Sequence, residues 1–285
     1  MTLRPFLTLA FAASLPAFAA AADLKPLRDA LTLHAPFDSK LDAAFSRGDA
    51  TAYIAKGNPP KGQAPVAPED VFKIVRGAGK FGGALHVTKK NPHKPYYKGP
   101  GVVDYKSANW SGSVSIWLRL TPDEDLEPGY CDPVQIVGGD TKKGFMFLEW
   151  SKDETPREFR YAIRPLFEIW NPKGQDWAKM TDAERPMVKV QPGPFSRTRW
   201  THVVFTFDKL NAGKAGVGKM YLDGKLAGTL SGWDFTFGWE AEKVQLVLAA
   251  AYVGHMDDLA AFNRALTDAE VKQLFELKNG VADLR

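Results

Sequence analysis

Residues 113–120 read Ser-Val-Ser-Ile-Trp-Leu-Arg-Leu, and Val114, Ile116, Leu118 and Leu120 fall on one side of an extended chain. A period of two with one apolar side is the pattern of a strand that buries one face. The same alternation recurs in Gly144 to Trp150, in Glu158 to Ile163, in Trp200 to Asp208, in Lys243 to Ala249 and in Met256 to Phe262. Met220-Tyr-Leu-Asp-Gly-Lys-Leu226 reads as a hairpin, with Asp223-Gly224 suited to a type I′ turn that needs positive φ at both central residues. Many short strands with little helical pattern between them predict an all-β chain folded as a two-sheet antiparallel sandwich. One short C-terminal helix is expected. Thr267-Asp-Ala-Glu270 forms a capping box, Val271, Leu274, Phe275 and Lys278 follow at helical spacing, and Gly280 reads as the stop.

The bulk properties agree with a globular chain. Of 285 residues, 45% are hydrophobic and 25% charged, and the formal net charge is +4 without a long basic run. That excludes a disordered chain and gives no electrostatic footprint for nucleic acid. Residues 1–22 read as a signal peptide. Arg4 is followed by an almost wholly apolar run from Pro5 to Phe18, and Ala17-Phe18-Ala19 or Ala20-Ala21-Ala22 offers small residues for cleavage. The expectation is a single module over 23–285, secreted or periplasmic, with an uncleaved anchor as the alternative. Later stretches do not reach the length of a membrane span. Cys131 is the one cysteine, so no internal disulfide is expected. It sits in a loop-like segment without a nearby His to serve as base and reads as a buried or incidental thiol. Two inserted loops are expected, at 121–133 and at 171–197.

Five segments in order resemble one family. Leu31-Thr-Leu-His-Ala-Pro-Phe-Asp38 resembles an opening strand, and Gly79-Lys-Phe-Gly-Gly-Ala-Leu85 a second motif. Ser113 to Leu120 is the third. Trp200-Thr-His-Val-Val204 with Met220-Tyr-Leu-Asp-Gly-Lys225 is the fourth. Gly254-His-Met-Asp-Asp-Leu259 with Asn263-Arg-Ala-Leu-Thr267 closes the set. Together they resemble laminin G-like domains of the concanavalin A-like lectin/glucanase superfamily. The resemblance implies a jelly roll whose first and last strands lie side by side, and says little about chemistry.

It also implies a structural Ca²⁺ where those strands meet, with Asp38, the carbonyl of Gly82 and Asp257 as ligands. Asp257 shares strand parity with Leu259 and is expected to point inward, where either a cation or backbone amides must satisfy it. Asp258 is expected to face away. His34 and His255 complete a transition-metal set only if all four side chains converge, and otherwise read as ordinary strand histidines. His202 reads as a packing residue.

Aromatic faces stack on sugars. Trp150, Trp170, Trp177, Trp233 and Trp239 lie near turns or inserted loops and are the candidate ligand-binding residues; core packing is the alternative for each. Trp117 and Trp200 read as strand packing, and Tyr96 and Tyr97 as residues of a Pro- and Lys-rich loop. The Glu-x-Asp-x-x-Glu strand of laminarinase-type relatives is absent. If the chain is an enzyme, Glu149 and Glu168, flanked by tryptophans, are the carboxylate pair. Nucleophile-triad and phosphate-loop signatures are missing. The expectation is therefore a secreted non-catalytic binding module for carbohydrate or another extracellular polymer. The alternatives are a glycoside hydrolase or polysaccharide lyase, and a structural or adhesion module with a protein partner.

Overall fold

The computed structural model describes residues 23–62, 70–152 and 154–285, so residues 1–22, where the leader is expected, lie outside the described part. The first eight strands in chain order are β1 (Leu31–Ala35), β2 (Phe45–Ser46), β3 (Tyr53–Lys56), β4 (Phe72–Val75), β5 (Ala84–Val87), β6 (His93–Lys98), β7 (Trp110–Arg119) and β8 (Cys131–Val137). The remaining eight are β9 (Phe145–Trp150), β10 (Phe159–Arg164), β11 (Met187–Val190), β12 (Thr201–Leu210), β13 (Val217–Leu222), β14 (Lys225–Leu230), β15 (Gln245–Ala250) and β16 (Gly254–Phe262). They form two antiparallel sheets. The nine-stranded sheet runs β14-β13-β12-β7-β16-β1-β2, with β5 on β16 and β4 on β5. The seven-stranded sheet runs β11-β10-β9-β8-β15-β6-β3.

The alternation along β7 explains the sandwich. Val114, Ile116 and Leu118 enter the main core together with Val203, Phe205 and Phe207 of β12. Met146, Leu148 and Trp150 of β9 and Phe159, Tyr161 and Ile163 of β10 meet them from the other sheet. The second face of β7 is buried too, which alternation alone does not reveal. Helices α1 (Lys25–Ala30) and α4 (Asp268–Phe275) and the 3₁₀ turn Gly280–Leu284 cover part of the outer side of the nine-stranded sheet. Leu27, Val204, Tyr221, Phe262, Val271 and Leu284 form a second apolar cluster there. Phe275 stacks on Trp117 at 5.6 Å, and His202 lies against both rings while its Nε2 meets Ser115 Oγ at 2.8 Å.

The Asp223-Gly224 turn has φ of +49° and +75°, as a type I′ turn requires. The α4 capping box is formed: the Thr267 and Glu270 amides and side chains bond reciprocally. The helix ends at Phe275 rather than running on to Gly280, which at φ +61° opens the final 3₁₀ turn instead. Cys131 is not in a loop; it is fully buried at the start of β8, and burial pushes its thiol up to about 11. Tyr96 and Tyr97 belong to β6, Tyr97 facing the core and Tyr96 the outer face. Residues 121–133 include the short helix α2 (Pro122–Asp125) and the beginning of β8, and residues 171–197 include β11.

The parity expected for Asp257 is overturned by a bulge. The β16–β7 register shifts between Asp257 and Ala260, and Asp258 adopts φ +50°. Met256, opposite Leu118, and Leu259 both stay on the core side, while Asp257 lies opposite Trp117. An extra residue in one strand brings two successive side chains toward the same side.

Two stability predictions follow from these burials. Asp258 Oδ1 accepts from His34 Nε2 at 2.7 Å and Oδ2 from the Val281 amide at 3.0 Å, both buried. Asp258→Ala strands both donors and is expected to cost about 3 kcal/mol in urea unfolding; a loss below about 0.5 kcal/mol, the range of an ordinary surface substitution, contradicts the seam as described. Burial, with Lys80 adding, pushes His202 down to about 3. The folded state resists protonation that the unfolded chain takes up near its ordinary value of about 6.5. Stability is therefore complete above that pH and declines as pH falls toward 3. His202→Gln is expected to flatten this decline in the urea midpoint, and parallel profiles for the two proteins count against it.

Candidate functional site

The outer face of the seven-stranded sheet carries one row across all its strands: Tyr53, Tyr96, Val247, Gln135, Phe147, Ala162 and Met187 are successive cross-strand partners. Beside it, Glu149 of β9 lies opposite Arg160 of β10, which lies opposite Lys189 of β11. On β8 a register shift between Cys131 and Val134 carries Asp132 to the same side as Gln135, whose Nε2 donates to it at 2.7 Å.

Most charges on this face are matched. Arg160 donates to Glu149 at 3.2 Å, to Glu158 at 2.6 and 2.9 Å and to Glu154 at 3.1 Å. Lys189 reaches Glu158 at 3.2 Å and Asp182 at 2.7 Å. Burial pushes Asp132 well above the usual carboxylate range, and the neighbouring Glu149 adds to the rise. Burial also raises Glu149, against the pull of Arg164 and Arg160.

Arg164 is the exception. Its guanidinium lies 4.8 Å from the Phe147 ring, 5.1 Å from Trp170 and 4.2 Å from Trp177. It makes no hydrogen bond with any described residue, and its Nε is buried without a partner. Burial lowers its pKa, while Glu149 and Asp132 hold the charge in place. Cation–π contact supplies the rest of the support.

The segment after β10 delivers the two tryptophans. Helix α3 (Phe167–Trp170) is one turn long, and the Leu166 amide donates to the Thr236 carbonyl at its start. Buried Asn171 closes the following loop on Gln175 through two hydrogen bonds, at 2.8 and 2.9 Å. Arg185 donates to the Trp177 carbonyl at 2.7 Å and lies 4.7 Å from its ring. Trp170 and Trp177 thus meet edge to face at 6.0 Å, both half-buried. Hollows of 580 and 270 Å³ flank this face and share Asn58; Asp132, Gln135, Lys94 and Tyr130 line the first, Arg164, Phe145, Phe167 and Trp170 the second.

Of the five candidate tryptophans, only Trp170 and Trp177 come together here. Trp150 is fully buried against Phe159, Phe195 and Tyr252. Trp239 packs on Trp110, Tyr105 and Phe237, and Trp233 lies half-buried against the core. Glu149 and Glu168 are not matched: Glu149 is buried on Arg160, while Glu168 is exposed on α3. Asp132 is the carboxylate that feels Glu149. Nothing in the sequence singles out Arg164, because an Arg in an alternating strand carries no mark of its partners.

At the seam the structure brings Asp38, Gly82 and Asp257 around one turn. Asp38 Oδ1 accepts from the Gly83 amide at 2.7 Å, and the Gly82 carbonyl accepts from Gly79 at 2.9 Å. Asp257 accepts from Phe81 at 2.9 Å and from Asp258 at 2.7 Å. Burial still pushes Asp257 up to about 8 against the Phe81 amide. Asp38 is exposed. His34 bonds Asp258 and His255 stacks on His86, so the four side chains do not converge. Among the described residues no three His, Cys, Asp or Glu side chains form a metal-holding group.

Among curated proteins none matches this sequence. Solved structures share its fold. The receptor-binding domain of botulinum neurotoxin D matches 88% of the chain at 11% identity and TM-score 0.54, and the chain covers 53% of that domain. The botulinum neurotoxin serotype D ligand-binding domain in complex with N-acetylneuraminic acid matches 87% at 11% identity and TM-score 0.51, with 51% of it covered. The chain thus spans about half the length of these toxin domains. Domain 4 of the arabinanase AbnA from Geobacillus stearothermophilus, in complex with arabinotriose, matches 87% of the chain and 98% of its own at 19% identity and TM-score 0.49. The sandwich, the adjacent first and last strands and a family match over residues 102–272 place this chain in the concanavalin A-like lectin/glucanases superfamily.

Proposed function

We propose that the chain is an exported carbohydrate-binding module whose ligand lies on the outer face of the seven-stranded sheet, around Arg164, Trp170 and Trp177. One observation carries this reading: a guanidinium held by three rings has no hydrogen-bond acceptor among the described residues. Unmade hydrogen bonds of a partly buried charged group are costly. A saccharide supplies both missing parts, C–H faces for the rings and hydroxyl or carboxylate oxygens for the fork. The sugar bound to the similarly folded toxin domain supports this choice of ligand class, and export rests on the leader-like residues 1–22.

Glycan-array binding is expected, with Trp177→Ala and Arg164→Ala each weakening it at least about tenfold, roughly 1.4 kcal/mol. Arg164→Lys keeps the charge, loses the fork and is expected to lose much of the affinity. Melting curves report whether each variant is folded. Binding that survives in folded variants, or capture of a protein with no glycan bound, refutes the proposal and, in the latter case, favours the adhesion reading.

A hydrolase or lyase reading has one observation behind it, the raised carboxyls of Asp132 and Glu149 on this face. The binding-module reading expects no reducing-sugar or unsaturated-product release from polysaccharides. Release abolished by Glu149→Gln would make the chain an enzyme.

The amide bonds at Asp38 and Asp257 lead us to propose that the seam stands without Ca²⁺. A chelator is then expected to leave the melting midpoint unchanged, because only a ligand of the folded state raises it. A midpoint several degrees lower with chelator puts the cation back on Asp38, Gly82 and Asp257.

A further inference from the structure

The outer face of the nine-stranded sheet carries a second row of polar side chains, independent of Arg164. Lys73 of β4 lies opposite His86 of β5, His86 opposite His255 of β16, and His255 opposite Arg119 of β7. The two imidazoles are stacked, 4.1 Å apart and within 3° of parallel. Arg119 lies over Trp200 at 4.8 Å, and Trp200 stands edge-on to His255 at 6.4 Å. A hollow of 270 Å³ opens on this row, lined by His86, Arg119, Asp125, Arg197, Gly254 and His255.

We propose that His86, His255 and Arg119 form a binding site for a tetrahedral oxyanion, a sulfate or phosphate group. Asp125 is the carboxylate on the hollow, and its charge is already met. Arg197 donates to its Oδ1 at 2.8 and 2.6 Å, and the Thr121 amide to its Oδ2 at 2.6 Å. Arg197 is further tied to Glu124 at 2.6 Å. Arg119 makes no hydrogen bond or ion pair with any described residue, so its charge is the one left over. The ring nitrogens of His86 and His255 also have no hydrogen-bond partner among the described residues and are not among the buried unpartnered atoms, and both residues line the hollow.

The geometry selects an anion over a metal ion. Ring lone pairs lie in the ring planes, so two parallel stacked imidazoles aim them side by side rather than at one point. Arg119 also repels a cation. Two ring N–H groups side by side, with an Arg fork beside them, instead offer donors to separate oxygens of one tetrahedral group. Burial, His86 and Arg119 push His255 down to about 4, and burial lowers His86 as well. Each ring is therefore neutral at pH 7 and presents one N–H, and a bound anion favours protonation of the rings.

The test is a titration of the full chain with sodium sulfate and with sodium phosphate, against sodium chloride at equal ionic strength, read by histidine ring NMR. Saturable shifts of the His86 and His255 rings are expected, with a raised His255 pKa at saturation. Arg119→Ala is expected to weaken binding at least about tenfold, and Arg119→Lys, which keeps the charge and loses the fork, by several-fold. Arg76→Ala, an exposed cation outside the row, is expected to leave binding unchanged. Comparing inorganic sulfate with a sulfated monosaccharide tells the source: equal affinity assigns the site to the free ion, tighter binding of the sugar to an ester. Shifts that match chloride, that do not saturate, or that persist unchanged in folded Arg119→Ala overturn the proposal.

Discussion

The antiparallel pairing of β1 with β16 joins the two ends of the described chain, and the bulge at Asp257–Asp258 sets what that pairing can do. An extra residue in β16 turns two successive carboxylates toward the same side, away from the main core. Asp258 ties His34 to the Val281 amide, so one buried carboxylate links the first strand to the last turn. Asp257 fixes the turn at Gly79–Gly83, where a Cβ on Gly79 would meet its Oδ2 at 2.7 Å. N-terminal to the bulge, the same strand delivers His255 between His86 and Arg119. Structure and candidate chemistry on this sheet thus depend on one irregular pair of residues.

The seven-stranded sheet follows a different rule. Its outer face sets an apolar row beside a charged one whose members are largely buried, and buried charges are tolerated only when paired. Arg160 gathers Glu149, Glu154 and Glu158, and Lys189 closes the network. Arg164, two turns of the alternation further along β10, is left with aromatic rings alone. The face matches nearly every charge and leaves the Arg164 fork without a hydrogen-bond acceptor among the described residues, which is why the proposed function centres there.

The architecture was legible because alternation is a property of neighbours in sequence. Val114, Ile116 and Leu118, the Asp223-Gly224 turn and the Thr267–Glu270 box each contain their own physical reason. What was hidden depends on partners distant in sequence. The inward parity expected of Asp257 failed because a bulge cannot be seen in an unbroken run of residues. Trp150 and Trp239 read as aromatics near turns, yet Trp150 is the last residue of β9 with its ring in the core, and the loop before β15 packs Trp239 on Trp110 and Phe237. Trp170 and Trp177 were visible as candidates, but not their meeting over Arg164, which needs Asn171, Gln175 and Arg185 to fold the loop back. Glu149 and Glu168 share only flanking tryptophans in the sequence, whereas the carboxylate that lies near Glu149 in the folded sheet is Asp132.

The most direct measurement is the indole N–H spectrum of the protein titrated with the tightest-binding oligosaccharide from a glycan array. The account predicts saturable shifts of the Trp170 and Trp177 signals, with those of buried Trp110 and Trp150 unmoved. Shifts confined to other tryptophans, or a spectrum that no glycan alters, would contradict it.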